Sequence, residues 1–217
     1  MSTRCASKFC STSLSANPVA GMNTLPSYRE EARSLFSFRF FEKKTCREMV
    51  QYVRHLDDWA DAEVRHQAGP QEFVTSVRTD TRIANILISA RCSKWYGLFD
   101  QEMDQAVKPI IQRVFGISFQ EHSGTQVLRY PPGGHYVPHQ DAMTDMRYRY
   151  FTVVCYLNDN FEGGDTWFPS LNHSVVPETG KAVIFPSSFY HCAQPVIRGE
   201  KFVIVSWVIG PLPIAWI

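Results

Sequence analysis

His139 and Asp141 stand two residues apart, His191 follows far downstream, and Lys201 lies ten residues beyond it. In a β-strand, positions i and i+2 point to one face, so this spacing lets an imidazole and a carboxylate grip a single ion. An imidazole arriving from a distant strand completes a two-histidine, one-carboxylate face. Such a face suits non-heme Fe(II) and leaves the opposite coordination positions open for an organic co-substrate and O2. Lys201 offers a cation that can fix a carboxylate of that co-substrate. The set points to an oxygenase. A His-x-Asp pair alone also fits an ordinary surface strand, so the elements around it must carry the argument.

Those elements fall into two halves. Phe38, Phe40 and Phe41 predict a short buried strand. Cys46, Met49, Val50, Val53 and Leu56 recur at helical spacing and predict a helix over 42–55. Residues 59–77, broken at Gly69-Pro70, predict strands and a loop, and 78–91 show no clean period. Leu98, Phe99, Met103, Val107, Ile110, Ile111 and Val114 mark one face of a second helix over 93–115. Pro109 should kink or divide it, and Gly116 should stop it. From residue 118 short β-rich runs take over, at 125–130, 150–157, 165–168, 182–185 and 202–208, separated by Gly, Pro and Asn turns. The expected fold class is α+β: a single domain over 29–217, with helical support over about 29–116 and a double-stranded β-helix (jelly roll) over about 117–210. Alternation puts Lys201, Val203, Val205 and Trp207 on one face of the last strand, and Thr152, Val154 and Tyr156 on one face of another.

Composition excludes several classes. Of 217 residues, 44% are hydrophobic and 20% charged, as in ordinary globular domains. The net charge of +1 gives no electrostatic encouragement to nucleic-acid binding. No apolar run reaches the ~18 residues of a membrane span. Six scattered cysteines without a CxxC pair indicate reduced thiols and a cytoplasmic protein. Residues 1–28 are rich in Ser, Thr, Ala and Asn and lack acidic residues; they read as a disordered tail, with organelle targeting as the alternative. His55, His66, His122 and His173 read as solvated, while His135 stands beside the ligand strand.

The order of His139-x-Asp141, Gly163-Gly164-Asp165-Thr166-Trp167-Phe168, Pro177-x-x-Gly180-x-Ala182-x-x-Phe185, His191 and Lys201 resembles the Fe(II)/2-oxoglutarate-dependent dioxygenases. The resemblance is to their prolyl-4-hydroxylase-like branch and is strong over 126–208. It implies that His139, Asp141 and His191 bind Fe(II) and that Lys201 pairs with the 5-carboxylate of 2-oxoglutarate. Tyr130, Tyr156 and Thr152 would line the co-substrate pocket, and Arg149, Tyr136 and Trp207 would face the substrate. O2 is the second co-substrate and ascorbate an auxiliary reductant. The implied reaction decarboxylates 2-oxoglutarate to succinate and CO2 and hydroxylates an unactivated C–H bond, such as that of a prolyl residue in a peptide or protein.

One departure bears on the substrate. Relatives acting on peptidyl proline often carry a histidine two residues after the tryptophan, where this chain has Ile209. The same chemistry on a free amino acid or natural product is therefore the alternative, and a non-catalytic cupin-like binding module is a minor one. The unpatterned segment 71–91 falls where such enzymes cover their substrate. Its Arg78 and Arg82 either clamp an acidic group or solvate the loop.

Overall fold

The computed structural model describes residues 26–70, 72–88 and 92–210. The tail expected over 1–28 lies outside these residues except for its last three. The first half contains β1 (Tyr28–Ala32), β2 (Leu35–Arg39), α1 (Lys43–Arg54), β3 (Trp59–Asp61), β4 (Val64–Gly69) and β5 (Glu72–Ser76). It continues through β6 (Arg82–Ile83), β7 (Asn85–Leu87), α2 (Ser93–Glu102) and α3 (Lys108–Phe115). The second half opens with β8 (Glu121–Tyr130), β9 (His135–His139), β10 (Arg149–Tyr156), β11 (Glu162–Gly163) and β12 (Thr166–Phe168). It closes with β13 (His173–Val175), β14 (Lys181–Pro186), β15 (His191–Ala193), β16 (Val196–Arg198) and β17 (Lys201–Ile209).

Two antiparallel sheets make the jelly roll. The larger has the order β1-β2-β14-β10-β17-β8-β7-β3, and the smaller β13-β12-β15-β9-β6. Alternation along the central strands explains the layers. Phe151, Val153 and Cys155 of β10 and Phe202, Ile204 and Val208 of β17 pack outward against Cys46, Met49, Trp95 and Phe99 of the helices. Val154, Tyr156 and Val203 face inward, where they meet Phe168 and Val175 of the smaller sheet. A strand buried on both faces reads as a continuous apolar run, which is why β10 and β17 were visible in the sequence. Each fully buried phenylalanine here contributes about 1.5–3 kcal/mol.

The first half does more than buttress with helices. Its strands β1, β2, β3 and β7 extend the larger sheet, β6 joins the smaller one, and β4 and β5 pair as a separate hairpin. Helix α1 buries Cys46, Met49, Val50 and Val53, the stripe expected of it. The second helix is continuous through Pro109 but widens into a π-helical turn over Met103–Val107. Pro109 lacks an N–H, and its ring presses on the carbonyl four residues back, at Gln105, so the turn opens there. Gly116 ends the helix in the left-handed region, with φ 68°.

Gly124 serves the site from a distance. The β8–β17 register shifts between Val205 and Trp207, and Gly124 lies beside this irregularity at φ +67°. A Cβ there would stand 2.8 Å from the Trp207 indole. Gly124→Ala is expected to cost about 1–3 kcal/mol and to displace Trp207, read as a lowered thermal midpoint with altered tryptophan fluorescence.

Candidate active site

His139 and His191 face each other as paired residues of β9 and β15, with ring centroids 4.3 Å apart. Asp141 does not share a strand face with His139, as the spacing had suggested. Strand β9 ends at His139, and Asp141 sits in the following bend, its N–H donating to Ser187 O at 2.9 Å. The bend brings Asp141 Oδ1 within 3.5 Å of His139 Nε2, and Oδ2 within 3.5 Å of His191 Nε2. The ligand atoms of the three residues all lie within 4.8 Å of one another, so together they can hold one ion.

Backbone carbonyls fix both imidazoles. Nδ1 of His139 lies 2.9 Å from Val137 O, and Nδ1 of His191 lies 3.0 Å from Phe189 O. Each Nδ1 therefore carries the proton, and each Nε2 lone pair is left free to bind a metal ion. Burial, and then the neighbouring His139, push His191 down to about 4, so it is neutral at physiological pH, the form that binds metal. Burial alone would raise the Asp141 carboxyl. The facing imidazoles reverse that and hold it far below the carboxylate range. Thr152 donates its hydroxyl to Asp141 Oδ2 at 2.7 Å, so its direct hydrogen bond is to the carboxylate. Two neutral nitrogens and one charged oxygen on a single face form a donor set that fits Fe(II).

The cavity beside this triad has a volume of about 480 Å³. Lys201, Val203, Val205 and Trp207 all line it, as alternation along β17 required. Trp207 pairs with Thr152 at the triad, and Lys201 stands six residues back on the same strand. The Lys201 ammonium is 2% exposed and donates to Gly164 O at 2.5 Å. Burial drags it from 10.5 down to about 8, with Asp165 pulling the other way. A buried ammonium in no ion pair among the described residues is a seat for an anion. Tyr130 lines the cavity, its ring 5.3 Å from Lys201 Nζ. The Tyr156 hydroxyl donates to Thr166 Oγ1 at 2.7 Å, and it is Thr166 that reaches the cavity wall. Thr166 went unnoticed as a site residue, although its place in the Gly-Gly-Asp-Thr run could have flagged it.

Aromatic and basic groups form the rest of the wall. Tyr136 stacks on His139, with centroids 3.5 Å apart and planes at 19°. Arg149 lies 3.7 Å over the Trp207 ring. The β4–β5 hairpin closes one side with Arg65, His66 and Phe73, and Arg65 is tied to Asp145 by a 2.5 Å ion pair. His66 is therefore a cavity residue and not a solvated one. His122 is also half-buried: its Nδ1 lies 3.0 Å from Ser206 Oγ, and burial lowers its pKa. His173 is half-buried on β13, His55 is exposed, and the His135 ring turns to Gly133 O at 3.0 Å. Arg82 lines the cavity, whereas Arg78 pairs with Asp80 at 3.0 Å on the surface.

Residues 125–209 match the family model of the 2OG-Fe(II) oxygenase superfamily. A putative prolyl 4-hydroxylase of Acanthamoeba polyphaga mimivirus is 33% identical over 126 residues, covering 46% of this chain and 52% of that protein. Prolyl 4-hydroxylase subunit alpha-1 of Gallus gallus is 31% identical over 180 residues, covering 72% of this chain and 35% of that protein. The chain thus spans about half of one relative and a third of the other. Among solved structures, a prolyl hydroxylase of Trichoplax adhaerens, in complex with a hypoxia inducible factor peptide fragment, shares the fold. Its TM-score is 0.64 at 18% identity, covering 81% of this chain and 83% of that one. The matched segment carries all three ligand-bearing residues and Lys201, and on that agreement of sequence with geometry residues 125–209 form a segment of the 2OG-Fe(II) oxygenase superfamily, in a chain similar to the prolyl 4-hydroxylases.

Proposed function

We propose that this protein is a 2-oxoglutarate-dependent hydroxylase acting on an unactivated C–H bond, in the first instance of a prolyl residue in a peptide or protein. One observation carries the proposal: a tautomer-fixed His/Asp/His face shares a cavity with a buried, unpaired ammonium. In this reading His139, Asp141 and His191 hold Fe(II), which couples O2 reduction to decarboxylation of the co-substrate and oxidation of the target carbon. Thr152 orients the Asp141 carboxylate by its hydrogen bond. Lys201 pairs with the 5-carboxylate of 2-oxoglutarate, with Tyr130 beside it and Tyr156 steadying Thr166. Tyr136, Trp207 and Arg149 hold the substrate and keep water from the reacting carbon.

The prolyl assignment draws on the names of the relatives. Ile209, in place of a histidine, favours the second reading of a free amino acid or another small molecule. Residues 29–217 act as one domain in this proposal. The scattered cysteines, four of them buried as free thiols, support a cytoplasmic location in this reading. No described helix is long and apolar enough to cross a membrane.

The test is anaerobic reconstitution with Fe(II) and 2-oxoglutarate, followed by oxygen in the presence of proline-containing peptides or a metabolite pool. Succinate release stimulated by peptide, with a product heavier by about 16 Da, is the expected result. Stimulation by metabolites alone would select the small-molecule reading, and no succinate under any condition would refute both.

A further inference from the structure

On the hydroxylase reading, the cavity holds two cations that neither iron nor co-substrate accounts for. Arg82 of β6 and Arg149 of β10 both line it. Arg82 lies over the Tyr136 ring, 4.8 Å from its centroid, as Arg149 lies over Trp207. An aromatic face holds a guanidinium flat and leaves its N–H edge free for a planar acceptor. Neither arginine forms an ion pair among the described residues, and the Nε of each is buried without a hydrogen-bond partner. Arg82 spends one N–H on the Glu63 carbonyl at 3.2 Å and also reaches the Tyr130 hydroxyl, and Arg149 reaches the Tyr148 hydroxyl, which leaves the remaining N–H groups of each guanidinium for a ligand. Arg82 is also the β-sheet partner of Tyr136, whose ring stacks on His139, so both arginines stand on the cavity wall beside the triad.

Charge balance gives these arginines a purpose. The ionised groups of the wall are Arg65, Arg82, Arg149 and Lys201 against Glu63, Asp141 and Asp145. Arg65 and Asp145 neutralise each other. Fe(II) with Asp141 leaves one positive charge, and 2-oxoglutarate with Lys201 leaves one negative, so the loaded centre is neutral. Two arginines then face one exposed glutamate, Glu63, and a single positive charge is left over. Leaving a partly desolvated guanidinium unpaired is costly, whereas a planar anion meets it through paired, charge-assisted hydrogen bonds.

We infer that Arg82 and Arg149 form a carboxylate-binding subsite, so that the substrate presents a carboxylate close to the carbon to be hydroxylated. Two sources carry that group: an acidic residue next to the target in a peptide, or the α-carboxylate of a free amino acid. A neutral prolyl segment would leave the surplus charge unanswered.

The test measures binding under nitrogen, with Fe(II) and 2-oxoglutarate present, by anisotropy of dye-labelled proline peptides. Peptides with Asp or Glu on either side of the proline are compared with their Asn and Gln counterparts, and free L-proline is added as a competitor. The acidic peptides are expected to bind about tenfold or more tightly. That preference should collapse in Arg82→Gln and be partly retained in Arg82→Lys. Competition by free L-proline without peptide binding would assign the carboxylate to the amino acid itself. Equal affinity for acidic and amide peptides, with no competition by the free amino acid, overturns the subsite. The peptide comparison in the unaltered protein needs no variant to fold. Succinate is scored separately: charge discrimination without succinate keeps the subsite and removes the hydroxylase reading, and succinate without discrimination does the reverse.

Discussion

Replacing Asp141 with alanine is expected to abolish iron retention and lower turnover by ~10³-fold or more. Asp141 is the only anion of the triad, and each of its oxygens lies 3.5 Å from one ligand nitrogen, Oδ1 from His139 Nε2 and Oδ2 from His191 Nε2. Two neutral imidazoles left alone would not hold a divalent ion against water and buffer. The fold should survive, because the bend is anchored by main-chain bonds from residues 141 and 142 to Ser187 O. Anaerobic titration with Fe(II), or with Co(II) read by its visible absorption, checks the metal, and a melting curve of the metal-free protein checks the fold. An alanine variant that still binds Fe(II) as the parent does would refute the ligand assignment.

The second large effect is at Lys201. Lys201→Ala should weaken 2-oxoglutarate by about a hundredfold, since a charge-assisted hydrogen bond with its ion pair contributes ~1.5–3 kcal/mol. Iron affinity should stay near that of the parent, and much of the turnover should return at saturating co-substrate. The unaltered protein carries a matching pH signature. Only the ammonium attracts a carboxylate, and in the free protein it titrates at about 8. Affinity for 2-oxoglutarate should therefore be flat below that pH and fall about tenfold per unit above it, a slope missing in the alanine variant. The unliganded fold shows the opposite sign. Between about 8 and 10.5 the unfolded chain holds the extra proton, so this group's contribution to stability rises with pH. An unchanged KM for 2-oxoglutarate in the variant, or a profile without an inflection, would remove Lys201 from the anion seat.

How far the chain could be understood before its structure depended on burial. Strands β10, β14 and β17 were legible because core on both sides makes them unbroken apolar runs between turn residues. Strand β9, which carries His139, was not: His-Tyr-Val-Pro-His neither alternates nor runs apolar, and Pro138 argues against a strand. The polar start of β8, Glu121 to Gly124, was missed for the same reason. The ligand set survived this because residue type and order carry it. Asp141 reaches the two imidazoles from a bend and not from a shared strand face, which the spacing alone does not reveal. Arg82, His66 and Thr166 gave weaker local signals; only the folded chain shows that they look into one cavity. Pro109 announced a distortion correctly but could not say that the helix would widen and continue.

Among the described residues the strands of the β4–β5 hairpin pair only with each other, and the exposed Arg65–Asp145 contact ties the hairpin to the neighbouring loop. The reactive groups, by contrast, are sewn into the two large sheets. The residues that read the substrate in this proposal, Arg82, Tyr136, Arg149 and Trp207, are sewn in with them, whereas the hairpin is a separate mechanical part that only closes one side of the cavity. Descendants of this protein could reshape that wall, and with it the size of molecule admitted, without relearning how to hold iron.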